Sequence, residues 1–314
     1  MSDVMGFSSY LTLVDEVTWG TTPGSPTHIH TPVENYTVKL KSEKRKASPR
    51  IGLKTPKHGR NYRGSVSGQL SASLYGWRPT GLTPSLAQYL MDWALSAGLE
   101  EDDLPSKTAF WAVGPGVDDL QHKGLRVGKL TLQGSEQSGI VELLLDLVGQ
   151  DEVTPGSSIP AFPNTRHKLR EFQYSDCTFS LASTAVLFQS FSLSLDLGLQ
   201  PSFVGQTRIQ KLKSTKSDIM FQAVPVKTGS NYTAMKRATT EQEFAGQIVM
   251  KGLHNGTGGV GTNYAVCTID MPLLSFEDSD EQGDRDGLKF EQLNMQALKP
   301  DSSSAALSTT WTEE

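Results

Sequence analysis

Residues 190–199 read Ser-Phe-Ser-Leu-Ser-Leu-Asp-Leu-Gly-Leu, a strict alternation of apolar residues with Ser, Asp or Gly. Side chains of an extended chain point alternately to opposite faces, so the apolar residues of this stretch share one face. They are Phe191, Leu193, Leu195, Leu197 and Leu199. The pattern predicts a β-strand with one face in a core and the other in water.

The composition agrees with a β-rich protein that is long enough for two cores. The chain has 314 residues, of which 37% are hydrophobic and 20% are charged, and it contains 29 glycines. These values are unlike those of a helical bundle or a disordered chain. The length leaves room for two domains of roughly 150 residues each.

We expect no targeting or membrane segment from this sequence. Residues 1–4 lack the basic and apolar segments of a signal peptide, and no apolar run reaches the roughly 18 residues of a membrane helix. Synthesis and assembly in the cytoplasm are therefore expected. In that compartment Cys177 and Cys267, which both lie in strand-like segments, would remain reduced.

Local patterns predict further elements. Alternating or continuous apolar stretches predict strands at 33–41, 64–76, 125–133, 140–148 and 177–181. Changes of phase at Gly128-Lys129 and within 288–298 predict two β-bulges. After Pro84, apolar residues at helical spacing predict a helix that Gly98 ends.

The order of these elements recurs in the second half of the chain. Strands are predicted there at 187–199, 218–226, 264–271 and 288–298, with a weak helical candidate at 232–240. A basic segment follows the first strand in each half. The sequence therefore predicts a mainly β protein with two tandem β-sandwich or split-barrel domains, each with a short helix.

The predicted domains have boundaries that composition suggests. The first domain covers 1–150, a Pro- and Gly-containing linker covers 151–164, and the second domain covers 165–298. The Ser/Thr-rich tail at 299–314 is expected to be flexible or to lie over a neighbouring subunit.

Residues that could support catalysis or hold a cofactor are scarce. The glycine-rich run 256–261 has the spacing of a dinucleotide-binding loop, but a strand-like segment follows where that site needs a helix. His28 and His30 could face one way, yet nothing at ligand spacing completes a metal site. We expect no catalytic residues, no cofactor and no metal.

Charge is distributed in a more informative way. Between residues 39 and 63 there are ten basic residues and one acid, Glu43. The segment is either an arm that docks on an acidic surface or a solvated loop. Its basic residues are Lys39, Lys41, Lys44, Arg45, Lys46, Arg50, Lys54, Lys57, Arg60 and Arg63.

Acidic residues form separate groups elsewhere in the chain. A chain with basic and acidic loops can pair with copies of itself, so these groups are candidate partners of the basic segment. They include Glu100, Glu101, Asp102, Asp103, Glu142, Asp146, Glu277 and Asp278. Tandem aromatic residues for base stacking are absent and the net charge is −5, which disfavours dedicated nucleic-acid binding.

The stretch from Gly6 through Asp15-Glu16-Val17-Thr18-Trp19-Gly20 to Thr27 resembles the opening of the tail tube proteins of long-tailed bacteriophages. The segments 124–132 leading into 143–149, and 172–177 leading into 191–198, resemble the same family. Together with the strand order, the resemblance covers nearly the whole chain.

The resemblance implies a structural virion protein rather than an enzyme. Subunits of this family join sheets edge to edge into rings, and the rings stack into a tube around the tape measure protein and later around passing DNA. Tail terminator and tail-tip proteins are the further implied partners, and the implied location is the virion tail, assembled in the host bacterial cytoplasm. No membrane partner is implied.

The resemblance also gives roles to the charged groups. The segment from Lys41 to Arg63 matches a loop that reaches the adjacent ring, and the acidic groups would contact it or line a net negative lumen. A duplicated barrel implies three chains per ring, whereas a single elaborated barrel implies six. The alternatives are another tail or capsid-decoration protein, or a split-barrel flavin-type enzyme.

Overall fold

A computed structural model describes residues 10–44, 61–76, 85–95, 105–112, 119–156, 158–161, 171–202, 209, 211–214, 217–226, 243–254, 263–283, 289–300 and 305–313. The protein is mainly β, as the sequence predicts.

In the described part of the amino-terminal half, one helix interrupts a series of strands. The helix, α1, spans Leu86–Leu95 and follows Pro84 as expected. The strands are β1 (Tyr10–Asp15), β2 (Ile29–Thr31), β3 (Asn35–Tyr36), β4 (Lys39–Lys44), β5 (Asn61–Ser73), β6 (Lys107–Ala112), β7 (Leu120–Ser135), β8 (Val141–Gly149) and β9 (Asp151–Val153).

The described part of the second half continues with strands. They are β10 (Cys177–Leu181), β11 (Thr184–Val186), β12 (Phe188–Asp196), β13 (Leu199–Ser202), β14 (Lys211–Ser214), β15 (Asp218–Pro225), β16 (Phe244–His254), β17 (Asn263–Gly283), β18 (Lys289–Ala297) and β19 (Ser308–Glu313). The predicted helical candidate at 232–240 lies outside the described residues.

Eight strands form one continuous antiparallel layer, in the order β4, β5, β8, β7, β12, β15, β18, β17. Buried and half-exposed residues alternate along most of β8, β12, β15 and β18, so each of these strands buries one face. In β8, for example, Val141, Leu143, Leu145 and Leu147 are buried, whereas the residues between them are half-exposed. The strand predicted from residues 190–199 is β12, at the centre of this layer.

A second layer covers the buried face. Its amino-terminal part runs β2, β1, β6 and the first part of β7, and its carboxy-terminal part runs β11, β10, β16 and the first part of β17. Helix α1 contacts both β7 and β19. One cluster of buried side chains therefore extends through both halves.

The two halves share one strand order and one pattern of register. The order β2, β1, β6, β7, β8, β5, β4 matches β11, β10, β16, β17, β18, β15, β12. The pair Lys107–Leu125 is followed by a register shift, and so is the pair Phe244–Leu274. Strand β9 pairs with β7 next to the segment of β7 that pairs with β8. In the same way, β19 pairs with β17 next to the segment that pairs with β18.

Both long strands contain a β-bulge, but only one of the two lies where the sequence places it. The bulge at Gly128 in β7 is confirmed by the register shift between Val127 and Lys129. The second was expected within 288–298. Its extra residue is instead Glu277 of β17, because consecutive residues of β18 pair with Phe276 and Asp278.

Two segments assigned to a linker and a tail contain ordered strands. Asp151–Val153 at the start of the predicted linker is β9, paired with β7. Ser308–Glu313 in the predicted tail is β19, which pairs with β17. Each of these short strands pairs with the long strand of its own half.

The segment after β1 is folded around the carboxylate of Glu16. This carboxylate accepts hydrogen bonds from the Gly20 and Gly124 N–H groups at 2.8 and 2.9 Å. It also accepts them from the hydroxyls of Ser106 and Thr108, at 2.7 and 2.6 Å. The bonds join the amino-terminal turn to β6 and β7.

Trp19 completes this arrangement. Its indole Nε1 donates to the Gly124 carbonyl at 2.8 Å. Gly124 has a φ of +67°, and an added Cβ would lie 2.8 Å from Trp19 Nε1, so only glycine fits here. The residues that carry the family resemblance thus fix the turn against the sheet.

We expect Glu16→Gln to lower the free energy of unfolding by about 2–4 kcal/mol, because a neutral amide offers one oxygen to four donors. Urea denaturation of the purified chain measures this. Val17→Ala is the matched control, since Val17 is 96% exposed and its replacement should change the free energy by less than about 0.5 kcal/mol. Equal stability of the two variants would contradict the role of Glu16.

Candidate assembly interface

One end of the eight-stranded layer is the strand β4. Within the described residues β4 pairs only with β5, in the register Lys39–Ser67 to Lys44–Asn61. Lys39 and Lys41 are exposed, and Leu40 is 44% exposed although it is a large apolar residue. An edge strand with an exposed leucine is a template for further pairing.

On the side of β4 that faces away from β5, one backbone N–H group donates a hydrogen bond to a side chain. Thr37 N–H donates to the Gln69 carbonyl of β5, so the alternation of an antiparallel ladder directs Leu40 N–H away from β5. Leu40 N–H donates to Glu152 Oε2 of β9 at 3.2 Å. Glu152 therefore caps one donor of this edge in the single chain.

Glu152 is held in place by a half-buried polar chain. His122 Nε2 lies 3.0 Å from Glu152 Oε2, and His122 Nδ1 lies 2.7 Å from the Tyr36 hydroxyl. Burial lowers the pKa of His122, although the neighbouring carboxylate opposes this, and burial with the Glu152 charge raises the pKa of Tyr36 well above 10. The arrangement orients the carboxylate toward β4.

The other end of the layer is the second part of β17. Leu274 pairs with Phe244 on one side and with Ala297 on the other, so β16 and β18 flank β17 on opposite sides. Beyond Leu274, residues 275–283 pair with β18, and no partner occupies their other side within the described chain. Among the residues that the structure describes, the layer thus ends in two open edges.

The junction between the two halves shows what such edges can form. Residues 129–135 of β7 pair with residues 190–196 of β12, on the side of β7 opposite to β8. Leu130 and Leu195 lie opposite each other and are each 1% exposed. A leucine at the formed junction is therefore buried, whereas Leu40 at the open edge is 44% exposed.

The face of this layer that points away from the core is polar. Gln69 Nε2 donates to Asp146 Oδ1 at 2.8 Å, and Gln222 Nε2 donates to Asn294 Oδ1 at 3.0 Å. Gln133 Nε2 donates to Glu142 Oε2 at 3.0 Å. These amides link neighbouring strands in both halves. A depression spans five strands of this face, with Gln133, Ser192, Gln222 and Gln292 in its lining, so the face is concave in this central part.

The structure brings together only some of the predicted charged residues. Of the basic segment, Lys41 is exposed on β4, and Lys44 and Arg63 lie in the paired strands of the β4–β5 hairpin. Lys44 pairs with Asn61, so the connection between the strands is shorter than the predicted loop. The remaining residues, Arg45, Lys46, Arg50, Lys54, Lys57 and Arg60, lie outside the described residues.

The acidic groups divide in the same way. Glu142 and Asp146 lie on the polar face of β8, where each accepts a hydrogen bond from a glutamine. Asp278 lies opposite Asn294 in β17, and Glu277 is the extra residue of the bulge. Glu100, Glu101, Asp102 and Asp103 lie outside the described residues. Sequence reasoning did not identify β4 and β17 as edge strands. The available signals were the alternating lysines of β4 and the run of acidic residues in β17.

In the described part of the chain no His, Cys, Asp and Glu residues group as three or more metal ligands. His28 Nδ1 is 3.0 Å from the Thr12 hydroxyl. The glycine run 256–261 lies outside the described residues, but the flanking pair His254–Asn263 joins two antiparallel strands, where a dinucleotide site needs a helix. Both cysteines are free thiols.

Comparison with known proteins places this architecture in a family. A family described as phage tail tube protein matches residues 6–251, which include the amino-terminal turn, the central junction and most of both halves. The chain belongs to the phage tail tube protein family. The resemblance drawn from the sequence is thereby confirmed, and none of the curated proteins compared with the chain matches it.

Family membership establishes the coarse role of this tail tube protein. It is a structural component of the virion tail, in a family whose members build a tube and contact other tail components. Among the described residues, α1 is far too short and no other helix is long and apolar enough to cross a membrane.

Leu195 of the formed junction and Leu40 of the open edge give a test of the edge. In the unassembled chain we expect Leu195→Ala to lower the free energy of unfolding by about 2–5 kcal/mol, because it leaves a cavity in the core. Leu40→Ala, at the half-exposed position, should cost less than about 1 kcal/mol. Thermal and urea unfolding at low protein concentration compare them. Equal losses would show that Leu40 already belongs to a closed core.

Proposed function

We propose that the protein forms the tail tube itself, through rings of three chains in which the eight-stranded layers join edge to edge and enclose the lumen. The observation that carries the proposal is the strand order. Two halves with the same order are joined through β7 and β12, and two open edges, β17 and β4, remain. A closed ring gives each open edge a partner and leaves none exposed.

The shared order and registers support two copies of one domain in each chain. The repeated unit would end with β9 in the first half and β19 in the second, and its equivalent side-chain bonds are Gln69–Asp146 and Gln222–Asn294. Three chains would then present six similar units. A single elaborated barrel, which would need six chains, does not account for the matching bulges in β7 and β17.

The concave polar face of the layer is the proposed wall of the lumen. By register it carries seven acidic and five basic positions, so it is net negative and repels a DNA backbone that must slide past it. The acids are Glu43, Glu142, Asp146, Asp196, Asp218, Asp278 and Asp280, and the bases are Lys39, Lys41, Arg63, Arg126 and Lys129. Before DNA passes, the tape measure protein would fill this channel.

Rings stacked into a tube would end on tail terminator and tail-tip proteins, and the assembly would take place in the host bacterial cytoplasm. The role is structural, without turnover or cofactor. A capsid-decoration protein or a flavin enzyme of split-barrel type is less well supported, because the family match covers most of the chain.

Native mass spectrometry and negative-stain microscopy of the purified protein test the ring. We expect closed rings of three chains, and tubes at higher protein concentration. Six chains per ring would overturn the proposed duplication. A protein that remains a monomer under all assembly conditions, including addition of the tape measure protein, would overturn the function.

The basic segment gives a separate prediction about stacking. Replacing Lys44, Arg45, Lys46 and Arg50 by serine should shorten or abolish tubes while thermal stability stays nearly unchanged. Each exposed ion pair contributes only about 0–1 kcal/mol, but a ring presents several copies at once. The charge-conserving variant, in which each Lys becomes Arg and each Arg becomes Lys, is the control. Normal tube lengths from the serine variant at low salt would show that the loop is a solvated surface.

A further inference from the structure

The junction inside the chain provides the register for the junction between chains. When the bulges at Gly128 and Glu277 are aligned, Lys129 of β7 corresponds to Asp278 of β17, and Thr131 corresponds to Asp280. The same alignment makes the pair Phe244–Leu274 of β16 and β17 equivalent to the pair Lys107–Leu125 of β6 and β7, which lies outside the bulge region. The second part of β17 is thus the counterpart of the part of β7 that receives β12.

The partner strands align independently. Gln69 and Gln222 make equivalent amide bonds to β8 and β18, which makes Leu70 equivalent to Ala223. Tyr36 lies opposite Leu70, and Phe191 lies opposite Ala223. Counting along both strands, residues 36–41 correspond to residues 191–196, so that Leu40 corresponds to Leu195 and Lys41 to Asp196.

We propose that β17 of one chain pairs antiparallel with residues 36–41 of a second copy, with Asp278 opposite Lys41 and Asp280 opposite Lys39, and that these charges select the partner strand. The inference rests on the proposed ring and adds the residues that determine its assembly. It follows from transferring the pairs Lys129–Asp196 and Thr131–Ser194 onto the two open edges.

The sign of the charges is reversed between the two junctions. Inside the chain the long strand carries Lys129 and its partner carries Asp196, opposite in register. Between chains the long strand carries Asp278 and its partner carries Lys41. If β17 paired with β12 instead of β4, Asp278 would lie opposite Asp196. If β7 paired with β4, Lys129 would lie opposite Lys41. Like charges directly opposite each other destabilise a sheet. The charges therefore favour the correct order around the ring.

The exposed leucine and the capped donor fit the same pairing. Leu40 is 44% exposed in the single chain, whereas its counterpart Leu195 is 1% exposed at the formed junction. On pairing, Leu40 N–H would leave Glu152 Oε2 and donate to the carbonyl of Ser279. One side-chain bond is replaced by a ladder of backbone bonds, and an apolar side chain leaves water.

Charge reversal tests the partner selection. We expect Lys41→Asp alone and Asp278→Lys alone each to reduce the fraction of protein in rings about tenfold, because every ring contains three copies of the contact. The double variant should restore rings. Glu136→Lys, a reversal in the exposed turn between β7 and β8, is the control and should leave rings intact. Circular dichroism verifies that each variant folds.

Each outcome bears on a defined claim. Rings from both single variants, or no rescue in the double variant, would overturn the charge selection. Absence of rings from the unmodified protein would overturn the proposed function instead. The two failures are therefore distinguishable.

Cysteine cross-linking tests the register. Because Leu40 N–H faces the open side, Lys41 and Asp278 would form a non-hydrogen-bonded pair, whose Cα atoms are about 4.5 Å apart and can be joined by a disulfide. Lys41→Cys with Asp278→Cys should give a covalent ladder that ends at three chains on a non-reducing gel. The diagonal control, Lys41→Cys with Asp280→Cys, spans about 7–8 Å and should cross-link poorly. Efficient linking of the diagonal pair alone would overturn the register.

Discussion

The structure depends on the need of every backbone N–H and C=O group in a sheet for a partner. Inside the chain this need joins the two halves, because β12 satisfies the side of β7 that β8 leaves open. The same need remains unmet along β4 and along residues 275–283, so the single chain is an incomplete sheet within its described residues. Glu152 caps one of the free donors, which blunts the edge without closing it.

The two bulges decide how one strand can serve two layers. The first part of β7 pairs with β6 in the covering layer, and after Gly128 the same strand runs in the main layer between β8 and β12. A bulge bends a strand and increases its twist, which is what a passage between layers requires. Glu277 has the same place in β17, so a sequence without glycine makes the same bend.

The local sequence pattern predicted individual elements, but it did not predict which distant strands pair. The alternation in residues 190–199 predicted β12, Gly128 predicted the bulge of β7, and Pro84 preceded α1, because each signal lies within a few residues. The bulge at Glu277 was misplaced onto 288–298, since a register shift belongs to a pair of strands and not to one. Strand β19 was missed because its partner β17 lies far away in sequence. The two edges could not be recognised for the same reason.

Charge is too weak to drive the pairing of edge strands, yet it can decide which strands pair. An exposed pair contributes about 0–1 kcal/mol, far less than a ladder of backbone bonds with a buried leucine. However, β17 would form a similar ladder of backbone hydrogen bonds, with similar apolar contacts, on either of the counterpart strands β4 and β12. These large contributions therefore cancel when pairing with β4 is compared with pairing with β12. Only the difference between partners sets specificity. Lys41 and Asp196 differ in sign at the equivalent position, and that difference would act at every junction of the proposed ring.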